Sequence, residues 1–259
     1  MTYYSDYVII NINSYKINTS MRYLIAVALL VLSFVASSAP NPDLWQYVQE
    51  RLFNDRIAVD ADPLELSIDG PKRAASGAQV PITIKVNSKK FKKLYLIIDA
   101  NPTQHAATFT LTERTQTTEI MTRIRMETDS FVRVIAEDEN GHLSMSAKAI
   151  RASGGCSGYM DSSDPELTKA LGKILYKAKN GYQTTRIKHP MFTGLQKDSI
   201  NGWYVPEWII NRVEWYDGAL LVMSVDTNIS MSQDPYFKFK YSSPVTIIAT
   251  DTKDNKWSK

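Results

Sequence analysis

The chain of 259 residues contains a single cysteine, Cys156, in the glycine-rich segment RASGGCSGYMD, residues 151–161. A thiol can act as a nucleophile or as a point of covalent attachment, and its reactive form is the thiolate. Because a lone cysteine cannot form an internal disulfide, it is buried and inert, paired with another molecule, or kept as a reactive thiol. Its neighbours in sequence supply no hydrophobic wall, and we therefore expect the thiol to be exposed.

The residues around the thiol predict a thin, projecting loop. Glycine has no Cβ and reaches backbone angles that other residues avoid. A segment of about eleven residues fixed at both ends could project its tip by up to roughly 20 Å, enough to enter a pocket of another protein. Successive amides in such a loop can also hold an anionic group carried on the sulfur. We assign four residues to this carrier arm besides the cysteine: Gly154, Gly155, Ser157 and Gly158.

The motifs of common enzyme classes are missing from the sequence. It has no nucleophile elbow, phosphate-binding loop or HExxH motif. Its three histidines, His105, His142 and His189, are widely separated, and structural or surface roles are commoner for such residues than a shared metal. We therefore expect no metal, no cofactor and no catalytic centre, with Cys156 as the group that carries any chemistry.

Composition and charge indicate a globular protein that does not bind nucleic acid. Hydrophobic residues make up 44% of the chain and charged residues 22%. The 30 basic and 27 acidic residues give a net charge of +3 and form no basic cluster along the sequence of the kind that tracks phosphates. The length suits two small domains.

The first 39 residues predict export. Arg22, an apolar run over residues 24–35 and the small residues of ASSAP follow the order of a secretory signal peptide. We expect residues 1–20 to be an over-extended start, residues 21–39 to be the signal peptide, and the mature protein to be periplasmic. The apolar run is too short to cross about 30 Å of hydrocarbon, so we expect no stable membrane insertion of the mature chain.

The hydrophobic pattern of the remaining chain predicts an all-β protein with two immunoglobulin-like β-sandwich domains. A short amphipathic helix over NPDLWQYVQERLFND precedes seven short alternating segments, which complete a first sandwich over residues 40–152. Residues 153–181 hold the cysteine loop and a predicted linker helix, marked by Asp164 and Pro165 at its start and Asn180-Gly181 at its end. Further alternating segments, with a hairpin at Asp217-Gly218, form a second sandwich over residues 182–259.

Particular motifs resemble a known pair of proteins. GGCSG at the end of a seven-strand domain resembles GGCGG of SoxY, the sulfur-carrying subunit of the periplasmic thiosulfate-oxidising system, and VPITI, LYLIIDANP and VRVIAED are similar to its strands. In the last part, IKHPMFTG resembles KHPMETG of the partner SoxZ, VPEWII stands where that family has IPAHFI, and SQDPYFKFKY resembles its SKNPY-F segment. The chain is therefore similar to a SoxY–SoxZ fusion of the type associated with quinoprotein dehydrogenases.

The resemblance implies that Cys156 is a covalent attachment point for sulfur compounds. In that family a c-type cytochrome couples thiosulfate to the thiol and a second enzyme releases sulfate, while the carrier has no redox centre of its own. SoxY ends at its motif, whereas here the chain continues through Tyr159, and Ser157 replaces a glycine. Two alternatives remain open: an accessory or binding module of a periplasmic quinoprotein (PQQ-dependent) dehydrogenase, and a structural β-sandwich protein linked to neighbours by an intermolecular disulfide.

Overall fold

The computed structural model describes residues 41–259, so the predicted over-extended start and signal peptide lie outside the described residues. Before the cysteine loop the chain forms the helix α1 (Leu44–Phe53) and these strands: β1 (Ala58–Asp60), β2 (Leu66–Asp69), β3 (Val80–Val86), β4 (Phe91–Ile98), β5 (His105–Leu111), β6 (Thr118–Ile124), β7 (Ser130–Asp138) and β8 (Leu143–Ile150). After it come a 3-10 helix (Pro165–Leu167) and these strands: β9 (Gly158–Met160), β10 (Ile174–Lys179), β11 (Tyr182–Ile187), β12 (Gln196–Asp198), β13 (Ile210–Asp217), β14 (Leu220–Thr227), β15 (Tyr236–Lys240), β16 (Thr246–Asp251) and β17 (Lys256–Ser258).

Alternation of apolar and polar residues accounts for the strands of the first half. In β3 every second side chain, from Val80 to Val86, is buried in the core, as the period of two requires. All seven predicted strands, β2 to β8, are present, and the predicted helix forms as α1. Strand β1 was not predicted because its three residues, which pair in parallel with β8, are too few to show a period.

The predicted linker helix is wrong. Asp164 caps only a single turn of 3-10 helix, where its side chain accepts a hydrogen bond from the amide of Glu166. The later part of the predicted helix, Ile174–Lys179, is instead the strand β10, which pairs antiparallel with β11. The two strands are joined by a two-residue turn in which both Asn180 and Gly181 have positive φ. Gly172, also at positive φ, interrupts the helical pattern. Asn-Gly is therefore a hairpin turn here and not a helix stop, and strand pairing decides the structure of a segment whose apolar residues fit either period.

The strands assemble into two large sheets and one small sheet. The order of the nine-stranded sheet is β1-β8-β7-β4-β5-β14-β13-β16-β17, and that of the six-stranded sheet is β10-β11-β15-β6-β3-β2. The two halves of the chain meet inside both large sheets, where β5 pairs with β14 and β6 with β15. Phe109 and Phe237 pack edge to face across this join, with ring centroids 6.3 Å apart. The two sandwiches are therefore joined into continuous sheets around a shared core.

Helix α1 packs on the outside of the nine-stranded sheet through a smaller cluster. Val48 and Phe53 of the helix are buried there with Ile97 and Ile135 of the sheet. Among residues 41–259 no helix has the length and apolar character needed to cross a bilayer.

Candidate functional site

The cysteine loop leaves the end of β8 and lies against the chain that follows β6. The amide of Gly154 donates to the carbonyl of Glu127 at 2.9 Å, and that of Gly155 to the carbonyl of Met126 at 3.0 Å. A Cβ on Gly155 would lie 2.2 Å from the carbonyl oxygen of Gly77, so only glycine fits this close approach. The loop is therefore docked on the body of the protein by its own backbone.

Docking buries the thiol, and the expectation that Cys156 would be exposed is wrong. Its relative exposure is 1%, and Gly155 is also buried, whereas Gly154, Ser157 and Gly158 are exposed. The neighbouring loop residues do not bury the thiol, as the sequence indicated, but segments distant in sequence do. Burial raises the pKa of the Cys156 thiol to about 12, the negative charge of Glu127 adds to this increase, and the positive charge of Arg125 opposes it. The docked thiol is thus almost entirely protonated at neutral pH and is a poor nucleophile.

Glu127 holds the loop at the thiol. Its carboxylate accepts hydrogen bonds from the amides of Cys156 at 2.8 Å and Ser157 at 3.2 Å, and from the Ser157 hydroxyl. Partial burial alone would raise the pKa of the Glu127 carboxyl, but the hydrogen bonds from Ser157 and Cys156 outweigh it and lower that pKa below its ordinary value. The carboxylate is therefore ionised at neutral pH and accepts hydrogen bonds from three donor groups of the loop. We call this arrangement the carboxylate latch.

Arg125 lies on the inner side of the same loop. Its guanidinium is buried and donates to the carbonyl oxygens of Gly155, Met231 and Met191, each at 3.1 Å. Within residues 41–259 no carboxylate oxygen lies within 4 Å of the guanidinium nitrogens. A buried cation paired only with carbonyl dipoles favours negative charge nearby, and the thiol of Cys156 is close enough for the two charges to interact.

The second half of the chain also holds the loop. The hydroxyl of Thr193 donates to the carbonyl of Cys156 at 2.7 Å. Two residues beyond the thiol, β9 pairs in parallel with β12, which places Gly158 beside Gln196 and the exposed Tyr159 beside Lys197. The loop is thus tied to both halves, by the first through residues 154–157 and by the second through Cys156 and β9.

The histidines do not gather at the thiol. His189 is buried against Trp208, and its Nδ1 accepts a hydrogen bond from the amide of Met191 at 3.1 Å. Burial lowers the pKa of His189 to about 4 despite the nearby carboxylate of Asp251, so the ring is neutral at pH 7. His105 and His142 lie on and beside other strands, and the described part of the chain contains no group of three or more His, Cys, Asp or Glu arranged to hold a metal ion.

Three residues of the site were missed by the sequence analysis: Arg125, Glu127 and Thr193. Arg125 and Glu127 follow β6 directly in the segment RIRMETD. Charged residues are common at the end of a strand, so these two did not stand out. Nothing local marks Thr193, which comes from the other half of the chain. The one available signal was the pair of opposite charges two residues apart at the end of a predicted strand.

Comparisons with known proteins match the chain in two consecutive parts. Residues 49–156 match the family described as Sulfur oxidation protein SoxY, and residues 178–259 match Sulphur oxidation protein SoxZ. No curated protein sequence matches the chain. A solved structure of the sulfur carrier protein SoxY from Chlorobium limicola f thiosulfatophilum is similar at 18% sequence identity and a TM-score of 0.37, covering 44% of this chain and 100% of that chain.

Proposed function

Since the chain belongs to the SoxY and SoxZ families as a fusion of the two domains, we propose that it carries sulfur-compound intermediates covalently on Cys156 in the periplasm. It presents them to the enzymes of thiosulfate and sulfur oxidation. The observation that carries the proposal is that the SoxY match ends at Cys156 itself, on a docked loop made of the predicted arm residues. Gly154, Gly155, Ser157 and Gly158 form the carrier arm.

The chemistry is an oxidative coupling followed by a hydrolysis. The Cys156 thiol and thiosulfate form a sulfur–sulfur bond, giving Cys156–S–S–SO₃⁻ with loss of one proton and two electrons. The electrons pass to a partner, for which a c-type cytochrome has suitable chemistry. Water then cleaves the terminal S–SO₃ bond, which releases sulfate and two protons and leaves a persulfide anion on Cys156. Both catalytic centres belong to partners, so this chain acts as a carrier and not as an enzyme.

A carrier must expose its thiol, so the loop undocks when a partner engages it. Few contacts oppose this step: the polar contacts of Glu127, Arg125 and Thr193 and the glycine backbone pairing. Once the loop leaves the protein body, the burial that raises the pKa of Cys156 is lost and the pKa falls toward its ordinary value of 9.0. The docked state shields the thiol from oxidation between partners, and the undocked state restores its reactivity.

The buried cation of Arg125 also suits a sulfur carrier. Both the thiosulfonate and the persulfide on Cys156 are anions at neutral pH, whereas the unloaded thiol is neutral. A loop that returns to the body with such cargo brings the negative charge toward the guanidinium, which pairs with no carboxylate among residues 41–259. Loading therefore changes the electrostatic balance of docking, which distinguishes loaded from unloaded carrier.

The test is the intact mass of the mature protein recovered from its native periplasm while the host oxidises thiosulfate. We expect mass increments matching sulfane sulfur or a thiosulfonate that reductant removes, and their complete loss in Cys156→Ser. Ser153→Ala, which removes an exposed hydroxyl from the same loop, is the matched control, and its mass increments are expected to persist. A thiol that stays free or merely dimerises under these conditions contradicts the carrier function and favours an accessory module of a quinoprotein dehydrogenase.

A further inference from the structure

The outer face of the six-stranded sheet is strongly basic. Strand alternation directs every second side chain away from the core, and half of those of β3, β6, β10 and β15 are cationic. Two carboxylates, Asp69 and Glu119, lie on the same face, and the charge of Arg186 is balanced there by Asp234. We define the basic face by its remaining cations: Lys85, Arg123, Lys177, Lys179, Lys238 and Lys240.

Strand register shows that these side chains share one surface across both halves of the chain. Lys177 lies opposite Thr184, Thr184 opposite Lys238, and Lys238 opposite Met121 of β6. Residues directly opposite each other in a sheet point to the same side. Since β10, β11 and β15 come from the second half and β6, β3 and β2 from the first, the basic face exists only when the halves are joined.

Aromatic rings and shallow hollows lie between the cations. The Lys238 ammonium lies 4.4 Å from the ring centroid of Tyr182, and the Arg123 guanidinium carbon lies 5.0 Å from the ring centroid of Tyr236. Hollows with volumes of about 540, 260 and 320 Å³ open on this surface, and the largest is lined by side chains from both halves. The face therefore combines positive charge, which speeds association with an acidic partner, with aromatic side chains of the kind enriched in protein interfaces.

Charge is divided unevenly over the molecule. Residues 41–259 contain 28 basic and 26 acidic residues, a net charge of +2, yet this one face holds six cations against two carboxylates. The other residues of this range therefore carry a net charge of −2, and the excess of positive charge is concentrated on the basic face. Sequence inspection found no basic cluster because these residues are spread from position 85 to position 240 and only strand pairing gathers them.

One end of the basic face, at Arg123, lies near the cysteine loop. Arg123 lies two residues before Arg125, whose guanidinium donates to the carbonyl of Gly155. At about 3.3 Å per residue, the stretch from Arg123 to Met126, which pairs with Gly155, spans on the order of 10 Å. A protein seated on the face would thus reach over the cysteine loop.

We propose that the basic face docks an acidic surface patch of the sulfur-oxidising enzyme that acts on Cys156. The inference rests on the proposed function and names the surface that this function uses. Six strands about 4.8 Å apart and five residues of about 3.4 Å each give a face of roughly 500 Å². A standard interface buries about 800 Å² per partner, so this area suits a weak, short-lived complex. A carrier that visits successive enzymes needs fast association and fast release, and charge complementarity supplies the first.

The test compares two triple charge reversals in a Cys156→Ser background, so that association is measured without the covalent step. K85E/K179E/K238E reverses the basic face, and K93E/K256E/K259E makes the same change of net charge on exposed lysines in and next to the nine-stranded sheet. The probe is the purified thiosulfate-coupling cytochrome of the host, with association rates measured by stopped flow from 10 to 300 mM NaCl. Vesicles of phosphatidylglycerol and a duplex DNA are the competing anionic surfaces.

We expect the basic-face variant to associate about tenfold or more slowly at low salt, with a weaker salt dependence, and the control variant to stay within about twofold of the parent. Equal slowing in both variants, or no association of the cytochrome with the parent, overturns the docking surface. Binding to vesicles or DNA in place of the cytochrome overturns it as well. Mass increments on the Cys156-containing protein report the carrier function separately, so failure of docking and failure of carrying are distinct results.

Discussion

Replacement of Glu127 by glutamine tests whether the carboxylate latch keeps the thiol docked. Glu127 accepts hydrogen bonds from the amides of Cys156 and Ser157 and from the Ser157 hydroxyl. Glutamine keeps one acceptor oxygen, places an NH₂ group where the second oxygen was, and carries no charge. Both loop amides donate to the same carboxylate oxygen, so the glutamine oxygen can keep them. The NH₂ group then faces the Ser157 hydroxyl, which must accept instead of donate, and the negative charge is lost.

The expected effect follows from these three hydrogen bonds. A hydrogen bond to a charged group contributes about 1.5–3 kcal/mol, and loss of charge weakens all three at once. Because Glu127 is only partly buried, water compensates for part of the loss. A net cost of about 2 kcal/mol to the docked state corresponds to an increase of about 30-fold in the open fraction of the loop.

The assay is the rate at which a disulfide reagent, 4,4′-dithiodipyridine, modifies Cys156 in the folded protein, divided by its rate in the urea-unfolded protein. Glu127→Gln is expected to raise this ratio about 30-fold while the melting temperature changes little, because the core does not contain the loop contacts. Glu113→Gln, at an exposed position outside the site, is the matched control. A ratio within about twofold of the parent would refute the latch and would show that the thiol becomes accessible by another route.

Two further predictions concern the docked loop. Gly155→Ala is expected to undock it and to raise the labelling ratio, since its Cβ would lie 2.2 Å from the Gly77 carbonyl oxygen. Gly154→Ala meets no atom within 4 Å and bears only the strain of its positive φ, so equal labelling in the two variants contradicts close docking at Gly155. The labelling ratio is also expected to depend on pH at both ends. The lowered pKa of Glu127 contributes docking stability that is lost as pH falls below about 4.5, and the raised pKa of Cys156 contributes stability that is lost as pH rises from 9.0 toward about 12. A ratio that stays flat from pH 3 to pH 10 would show that neither group is coupled to docking.

Local patterns in the sequence predicted most of the strands, and short motifs carried the resemblance to a family. Alternation identified the seven strands from β2 to β8, and the Asp217-Gly218 hairpin joins β13 to β14 as expected. The short strands β1, β9, β12 and β17 have three residues each, too few to show a period. Strand β10 was taken for a helix because its apolar residues fit both periods, and its pairing with β11 decided the outcome.

The sequence by itself therefore determined the β architecture, the order of the two domains and the single thiol, because each depends on residue type or on neighbours a few positions apart. Only the tertiary structure decided the state of that thiol. The residues that hold its loop, Glu127, Arg125 and Thr193, lie 29 to 37 positions away along the chain. Burial and the charge of Glu127 raise the pKa of the thiol. The basic face likewise depends on pairing between β6 and β15, whose residues are more than 100 positions apart. Contacts of that range leave no period in the sequence, since the fold and not the spacing brings the groups together.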